Sequence, residues 1–177
     1  MKIAQKLIGV AVVAILSGLV LWAYYYNKGA SSEIQLGDVA PSLHGVKMIE
    51  KDAENPPYVL IKFWGSWCAP CRQSHPQWIV LYQKFQEGTE GNKVQGLEIV
   101  SIGLESDSMT WQRAIEKDEL PWPGQIMQER SLDAAWAGAF GIESVPANFL
   151  INQQSQVVGR NMNPREVERF LSRQLTK

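Results

Sequence analysis

The stretch of sequence that decides the fold is FWGSWCAPC, residues 63–71. An apolar run, residues 58–64, leads into this stretch and predicts a buried strand. Pro70 suits the first turn of a helix, and apolar residues at helical spacing continue beyond it. The sequence therefore places Cys68 and Cys71 where a strand ends and a helix begins.

The position of the two cysteines favours redox chemistry. Free backbone N–H groups and the dipole at a helix N-terminus stabilise a thiolate, which is the form of cysteine that attacks a disulfide. We therefore expect Cys68 to attack a substrate disulfide and Cys71 to resolve the mixed disulfide that forms. The pair would cycle between a dithiol and a redox-active disulfide.

Two other roles for the cysteines stay open at this point. An inert structural disulfide would close a loop of two intervening residues, which constrains the unfolded chain little. A copper-delivery protein could bind its metal through both cysteines and His75. Zinc would need four ligands, and His44 and His75 are the only histidines. Because Pro76 predicts a helix bend, we expect His75 to be exposed, and no metal or cofactor is predicted.

Length and charge exclude several classes of protein. The chain has 177 residues, with 17 Lys+Arg against 18 Asp+Glu, so it offers no basic field for nucleic acid.

Further strands are predicted over residues 97–104, 125–128 and 145–151, and Asn163 predicts the N-cap of a final helix. Alternating strands and helices indicate an α/β domain with helices on both faces of a central sheet.

The N-terminus predicts a membrane anchor. Two lysines precede an uncharged run, residues 7–23, and three tyrosines extend it to about the 20 residues that span hydrocarbon as a helix. A cleaved signal peptide is the alternative. The lysines keep the N-terminus cytoplasmic, so we expect a single-pass protein of the cytoplasmic (inner) membrane with its globular domain on the periplasmic side. The predicted organisation is an anchor over residues 1–28, a linker over 29–35 and a domain over 36–177.

These motifs resemble the thioredoxin superfamily, and within it the membrane-anchored TlpA-like thiol–disulfide oxidoreductases. Residues 63–71 match the pattern F-W-x-x-W-C-x-P-C, and Pro76 matches the proline that kinks the following helix. The Val145-Pro146 pair is similar to the cis-proline loop that faces the cysteines. The resemblance implies a thioredoxin fold with a central mixed sheet, a cis peptide bond before Pro146, and substrate contacts from Trp67, Val145 and Pro146.

The resemblance also implies a function. TlpA-like proteins include the reductases of cytochrome c maturation, so protein disulfides, apocytochrome c among them, are the implied substrates. A membrane-bound thiol reductant is the implied partner. The same cysteines could instead serve a disulfide oxidase or isomerase if the reduced form is the more stable one.

Two positions close to the cysteines depart from the family pattern. Lys62 stands where thioredoxins carry a buried aspartate, and Ser74 stands where TlpA-like reductases often carry a glutamate. One hypothesis is that Lys62 lies beneath the cysteines, favours the thiolate and exchanges protons. The alternative is that its ammonium reaches solvent or an acidic partner. Glu143, near Pro146, is the carboxylate that the sequence offers as a second modulator of thiol pKa.

Overall fold

The structure is a computed structural model that describes residues 13–23, 34–42, 58–86, 96–130 and 135–175. The chain divides into two compact units, Met1–Glu33 and Ile34–Lys177. In the first unit, residues 13–23 form a helix, α1, whose large apolar side chains are exposed. Within the described ranges, no helix is long and apolar enough to cross a membrane. Much of the predicted anchor and linker lies outside those ranges.

The second unit alternates strands and helices as the sequence predicts. Their order is β1 (Tyr58–Trp64), α2 (Ala69–Gln86), β2 (Glu98–Glu105), α3 (Ser108–Lys117), β3 (Gly124–Glu129), α4 (Ala135–Ala139), β4 (Ala147–Asn152), β5 (Val157–Arg160) and α5 (Pro164–Leu175). The strands lie in the spatial order β3-β2-β1-β4-β5. β1, β2 and β3 are parallel, whereas β4 runs antiparallel to both β1 and β5, which confirms the predicted mixed sheet.

The central strand β1 sends alternate side chains to the two faces of the sheet. Leu60 and Trp64 join one core cluster, to which α2, α3 and α5 contribute. Ile61 and Phe63 join a second cluster with residues from α4. We call these sides the α2 face and the α4 face. Helices therefore cover both faces, as predicted.

The final helix begins where the sequence predicts. The Asn163 side chain accepts a hydrogen bond from the Glu166 backbone N–H at 3.1 Å, and the Glu166 carboxylate accepts one from the Asn163 N–H at 2.8 Å. This reciprocal capping box satisfies two backbone donors. Pro164 takes the first helical position, where its missing N–H costs nothing.

Candidate active site

The two cysteines form a disulfide at the start of α2. Cys68 directly precedes the helix, and its Sγ accepts a hydrogen bond from the backbone N–H of Cys71 at 3.3 Å. The side chains are 4% and 1% exposed, respectively. The predicted position of the pair, between strand and helix, is confirmed. An amide of the first helical turn already points at the sulfur expected to carry negative charge.

A buried carboxylate holds the loop that leads to Cys68. Glu105, at the end of β2, accepts hydrogen bonds from both the backbone N–H and the hydroxyl of Ser66. The Trp67 indole N–H donates to the carbonyl oxygen of Leu104 at 2.9 Å. The loop is thus fixed to the carboxyl end of the neighbouring parallel strand. The sequence analysis missed Glu105, although a carboxylate that ends a strand parallel to β1 falls at the edge that carries the cysteines.

The outer surface of the site combines an aromatic ring with a cis peptide bond. Trp67 is 45% exposed, and the Arg130 guanidinium lies 4.2 Å from the centre of its ring. The Val145–Pro146 bond is cis, as the resemblance implied. Val145 packs against the core cluster that contains both cysteines, while Pro146 is exposed. The cis-proline directly precedes β4, which begins at Ala147.

Lys62 lies inside the protein on the α2 face. Its side chain is 5% exposed, and its Nζ has no hydrogen-bond partner. The Nζ lies 5.1 Å from the ring centres of both Trp78 and Trp122. Burial lowers the pKa of Lys62 from its ordinary 10.5 to about 7. The alternative in which the ammonium reaches solvent or an acidic partner is therefore wrong.

His75 is buried, so the expectation that it would be exposed is wrong. Its side chain is 1% exposed, with its ring 4.9 Å from that of Trp64. Pro76 lies inside α2 without ending it, so the helix keeps this turn against the sheet. Burial and the nearby Lys62 charge lower the pKa of His75 to about 4, although Asp118 acts in the opposite direction. His75 is therefore a neutral imidazole at neutral pH.

Asp118, which directly follows α3, connects His75 to Arg72. One carboxylate oxygen lies 2.9 Å from His75 Nδ1, and the Arg72 guanidinium donates to both oxygens at 2.9 and 2.5 Å. These hydrogen bonds lower the pKa of Asp118. The sequence analysis missed this carboxylate because nothing in the spacing of residues 72 and 118 brings them together.

The described part of the chain gives no support to a metal site. Among the described residues, no three His, Cys, Asp or Glu side chains are grouped to hold an ion. His75 Nδ1 is engaged by Asp118, and both cysteines are in the disulfide. His44 lies outside the described ranges. The copper alternative therefore gains nothing from the geometry.

The remaining candidates lie at the periphery of the site. The Ser74 hydroxyl donates to the backbone carbonyl of Cys71 at 2.7 Å, a local bond within the helix. Glu143 is exposed between α4 and the cis-proline. Its role as a modulator of thiol pKa stays a prediction.

Comparison with known proteins agrees with this geometry. A sequence profile described as thioredoxin-like matches residues 56–157. One curated relative, the thiol-disulfide oxidoreductase ResA of Bacillus thuringiensis strain Al Hakam, is 29% identical over 164 residues, which cover 89% of this chain and 88% of the relative.

Solved structures share the fold. A thioredoxin-like protein from Parabacteroides distasonis superimposes with a TM-score of 0.65 at 18% identity, over 79% of this chain and 96% of the other. The thioredoxin domain of a thiol-disulfide oxidoreductase from Bacteroides vulgatus gives a TM-score of 0.62 at 22% identity, over 78% and 99%. With its disulfide at the start of α2, this chain is a thiol–disulfide oxidoreductase. It belongs to the thioredoxin-like family.

Proposed function

We propose that this protein reduces disulfides in proteins outside the cytoplasm, with the Cys68 and Cys71 dithiol as the electron donor. The observation that carries the direction is the burial of both cysteines in an apolar core cluster. Apolar surroundings disfavour a thiolate, and a dithiol without a strongly stabilised thiolate releases its electrons readily. The helix N-terminus and Lys62 act in the opposite direction, so the reduction potential is the deciding measurement.

The reaction follows from the arrangement of the site. The Cys68 thiolate attacks one sulfur of a substrate disulfide, whose other sulfur leaves as a thiolate. The Cys71 thiolate then attacks Cys68 Sγ, closes the internal disulfide and releases the second substrate sulfur. The substrate gains two electrons and the enzyme loses two. Trp67, Val145 and Pro146 form the surface on which the substrate peptide would lie.

Redox equilibration tests the direction. The full chain would be equilibrated with glutathione or dithiothreitol buffers, and its thiols would be trapped by alkylation and counted by mass. A potential near or below about −250 mV supports a reductant, whereas a value near −120 mV would identify an oxidant.

We further propose that residues 1–28 anchor the domain to the outer side of the cytoplasmic membrane. The support is the uncharged run between lysines and tyrosines. A membrane-bound thiol reductant would then regenerate the dithiol, and apocytochrome c would be one substrate. Fractionation of the full chain and of a chain without residues 1–28 tests the anchor: only the full chain should remain with membranes after alkaline extraction. Partners trapped on Cys68 in a Cys71→Ala variant would identify the substrates.

A further inference from the structure

A cavity of about 590 Å³ lies between the end of β5 and α5. Its volume falls within the range of pockets that hold ligands. Three of its lining side chains are arginines, namely Arg160, Arg169 and Arg173, and we call it the arginine cavity. The whole chain carries a formal net charge of -1, so this concentration of positive charge is local and does not follow from the composition.

The carboxylates next to the arginine cavity have other partners. Glu166, which also lines the cavity, accepts a backbone N–H in the capping box of α5. Glu168 forms an ion pair with Lys84 of α2. Neither Arg169 nor Arg173 forms an ion pair with any residue that the structure describes. Because like charges one turn apart on a helix repel each other, these two arginines destabilise α5, and an anionic ligand would remove that cost.

The inner wall of the cavity is apolar and fixed. Met162 and Phe170 line the cavity and pack against the core cluster of the α2 face, and the Phe170 ring meets that of Tyr58 edge-on at 5.6 Å. The Arg160 guanidinium lies 5.8 Å from the centre of the Phe149 ring. Neither apolar side chain of the lining is exposed, so this surface has nothing to insert into a lipid bilayer. It suits a ligand that enters a concavity.

Hydrogen bonds join the cavity to the strand that follows the cis-proline. Asn148 lies two residues after Pro146, and its backbone N–H donates to Asn161 Oδ1 at 3.2 Å. The Asn148 side chain donates to the carbonyl oxygen of Met162 at 2.9 Å and accepts from the Met162 N–H at 3.1 Å. Asn161 and Met162 both line the cavity. The arginine cavity therefore begins at the end of the sheet that carries Pro146 and the disulfide.

We propose that the arginine cavity binds an acidic segment of the protein substrate, separate from the disulfide that is exchanged. Planar guanidinium groups donate paired hydrogen bonds to carboxylates, and the apolar wall accepts an aliphatic side chain between the acidic ones. Binding of this segment holds the substrate beside Cys68 without changing the exchange step, so it lowers KM and leaves kcat unchanged. The inference rests on the proposed function only in that the substrate is a protein, and not on the direction of exchange.

Equilibrium binding tests the cavity directly. The oxidised full chain in dodecyl maltoside would be titrated into a labelled peptide of alternating glutamate and leucine without cysteine, and fluorescence anisotropy would be measured. For Arg169→Gln and for Arg173→Gln we expect the dissociation constant to rise about fivefold each. The wild-type affinity should weaken as the salt concentration rises. A peptide with glutamine in place of every glutamate should not bind.

Arg165→Gln provides the matched control. Arg165 is exposed one turn before Arg169 on the same helix, but it lines a separate groove beside α2. This variant has the same net charge as the two test variants and should bind the acidic peptide as the wild type does. If it weakens binding as much as Arg169→Gln does, the peptide responds to the overall charge of α5, and the proposal is overturned. Displacement of the peptide from the wild type by phosphatidylglycerol in the micelles would also overturn it, because the arginines would then serve the membrane surface.

Steady-state kinetics connect the cavity to the reaction. Two disulfide peptides, one with the acidic segment and one with glutamine in its place, would be reduced with dithiothreitol as the electron donor. In Arg169→Gln and Arg173→Gln, KM for the acidic peptide should rise about fivefold, while kcat and the rate with the small disulfide dithiobis(nitrobenzoate) stay at wild-type values. Equal KM values for the two peptides in the wild type would contradict the proposal. The binding assay needs no thiol, so an oxidising reduction potential would refute the proposed direction of exchange and leave the test of the cavity intact.

Discussion

The two faces of the central sheet are built from the same strands but differ in chemistry. On the α4 face, Ile61, Phe63 and Phe149 pack with Phe140 in a cluster of apolar side chains. On the α2 face, the cluster is interrupted by buried polar residues. These are Lys62, His75, Ser101, Glu105 and Asn148. Glu98 occupies a β2 position whose side chain is expected to face α4. Its carboxylate nevertheless forms a hydrogen bond with the side chain of Tyr82 in α2.

The difference separates stability from function. Apolar packing on the α4 face supplies stability without any group that titrates near neutral pH. The α2 face buries a lysine and a histidine whose pKa values are both lowered, and each lowering is a cost to the folded state. Such costs concentrate at functional sites. Substitutions on the two faces should therefore affect different properties.

The largest effect is expected for Cys71→Ala on the α2 face. Without the resolving thiol, Cys68 would form a mixed disulfide and keep it, so multiple-turnover reduction of insulin should be abolished. The free energy of unfolding, compared with that of the reduced wild type, should change far less than activity does. Mass spectrometry of the trapped species and denaturant titration measure the two properties. Turnover by this variant at the wild-type rate would remove Cys71 from the reaction.

The counterpart on the α4 face is Phe149→Ala. Phe149 is fully buried and its ring lies 5.0 Å from that of Phe140, so truncation leaves a cavity. We expect the free energy of unfolding to fall by about 3–5 kcal/mol. The folded fraction should still reduce insulin at a rate close to the wild type, because the Phe149 ring contacts Phe63 and Phe140 and is not part of the loop that carries the disulfide. A selective loss of activity without loss of stability would contradict the separation of the two faces.

The buried Lys62 on the α2 face makes the free energy of unfolding depend on pH. Between pH about 7 and 10.5 the unfolded chain binds a proton at Lys62 that the folded chain has released. Stability therefore rises with pH across this window, and from pH 7 to pH 9 the gain should be about 2 kcal/mol. The oxidised protein is used, since its cysteines do not titrate. Urea titrations at the two pH values measure the gain.

Lys62→Met should abolish this rise and make the protein more stable at pH 7 than the wild type. The histidine does not interfere, because its pKa of about 4 confines its own effect to lower pH. Equal slopes of stability against pH in wild type and variant would mean that Lys62 keeps its proton throughout the window.

The fold was predictable from the sequence because its signals are local. An apolar run before the cysteines, helical spacing after them, and Asn163 with Pro164 each specify an element with residues close in the chain. The cis-proline followed from the family pattern around Val145-Pro146. Each of these predictions needs no knowledge of what the element packs against.

The polar side of the site was less predictable because its contacts are distant in sequence. Glu105 is 39 residues from Ser66, and Asp118 is 43 from His75. The bend expected at Pro76 suggested an exposed His75, whereas packing of α2 on β1 buries the ring against Trp64. The burial of His75 is determined by tertiary packing, which the local spacing of residues in the sequence does not reveal.

The smallest effect is expected at the rim, where the α2 face meets solvent. The Arg130 guanidinium lies over the exposed Trp67 ring, and an exposed cation–π contact is worth about 0.5–1 kcal/mol. Arg130→Ala should therefore change the free energy of unfolding by no more than about 1 kcal/mol. Tryptophan fluorescence should change, because a charge next to the indole is removed. Arg130→Lys keeps the charge and serves as the control.

Since Trp67 adjoins Cys68, the rate with a disulfide peptide that carries acidic flanking residues should fall more than the rate with a basic one. Equal changes in rate for the two peptides would show that Arg130 packs on the Trp67 ring without contributing to recognition of the substrate's charge.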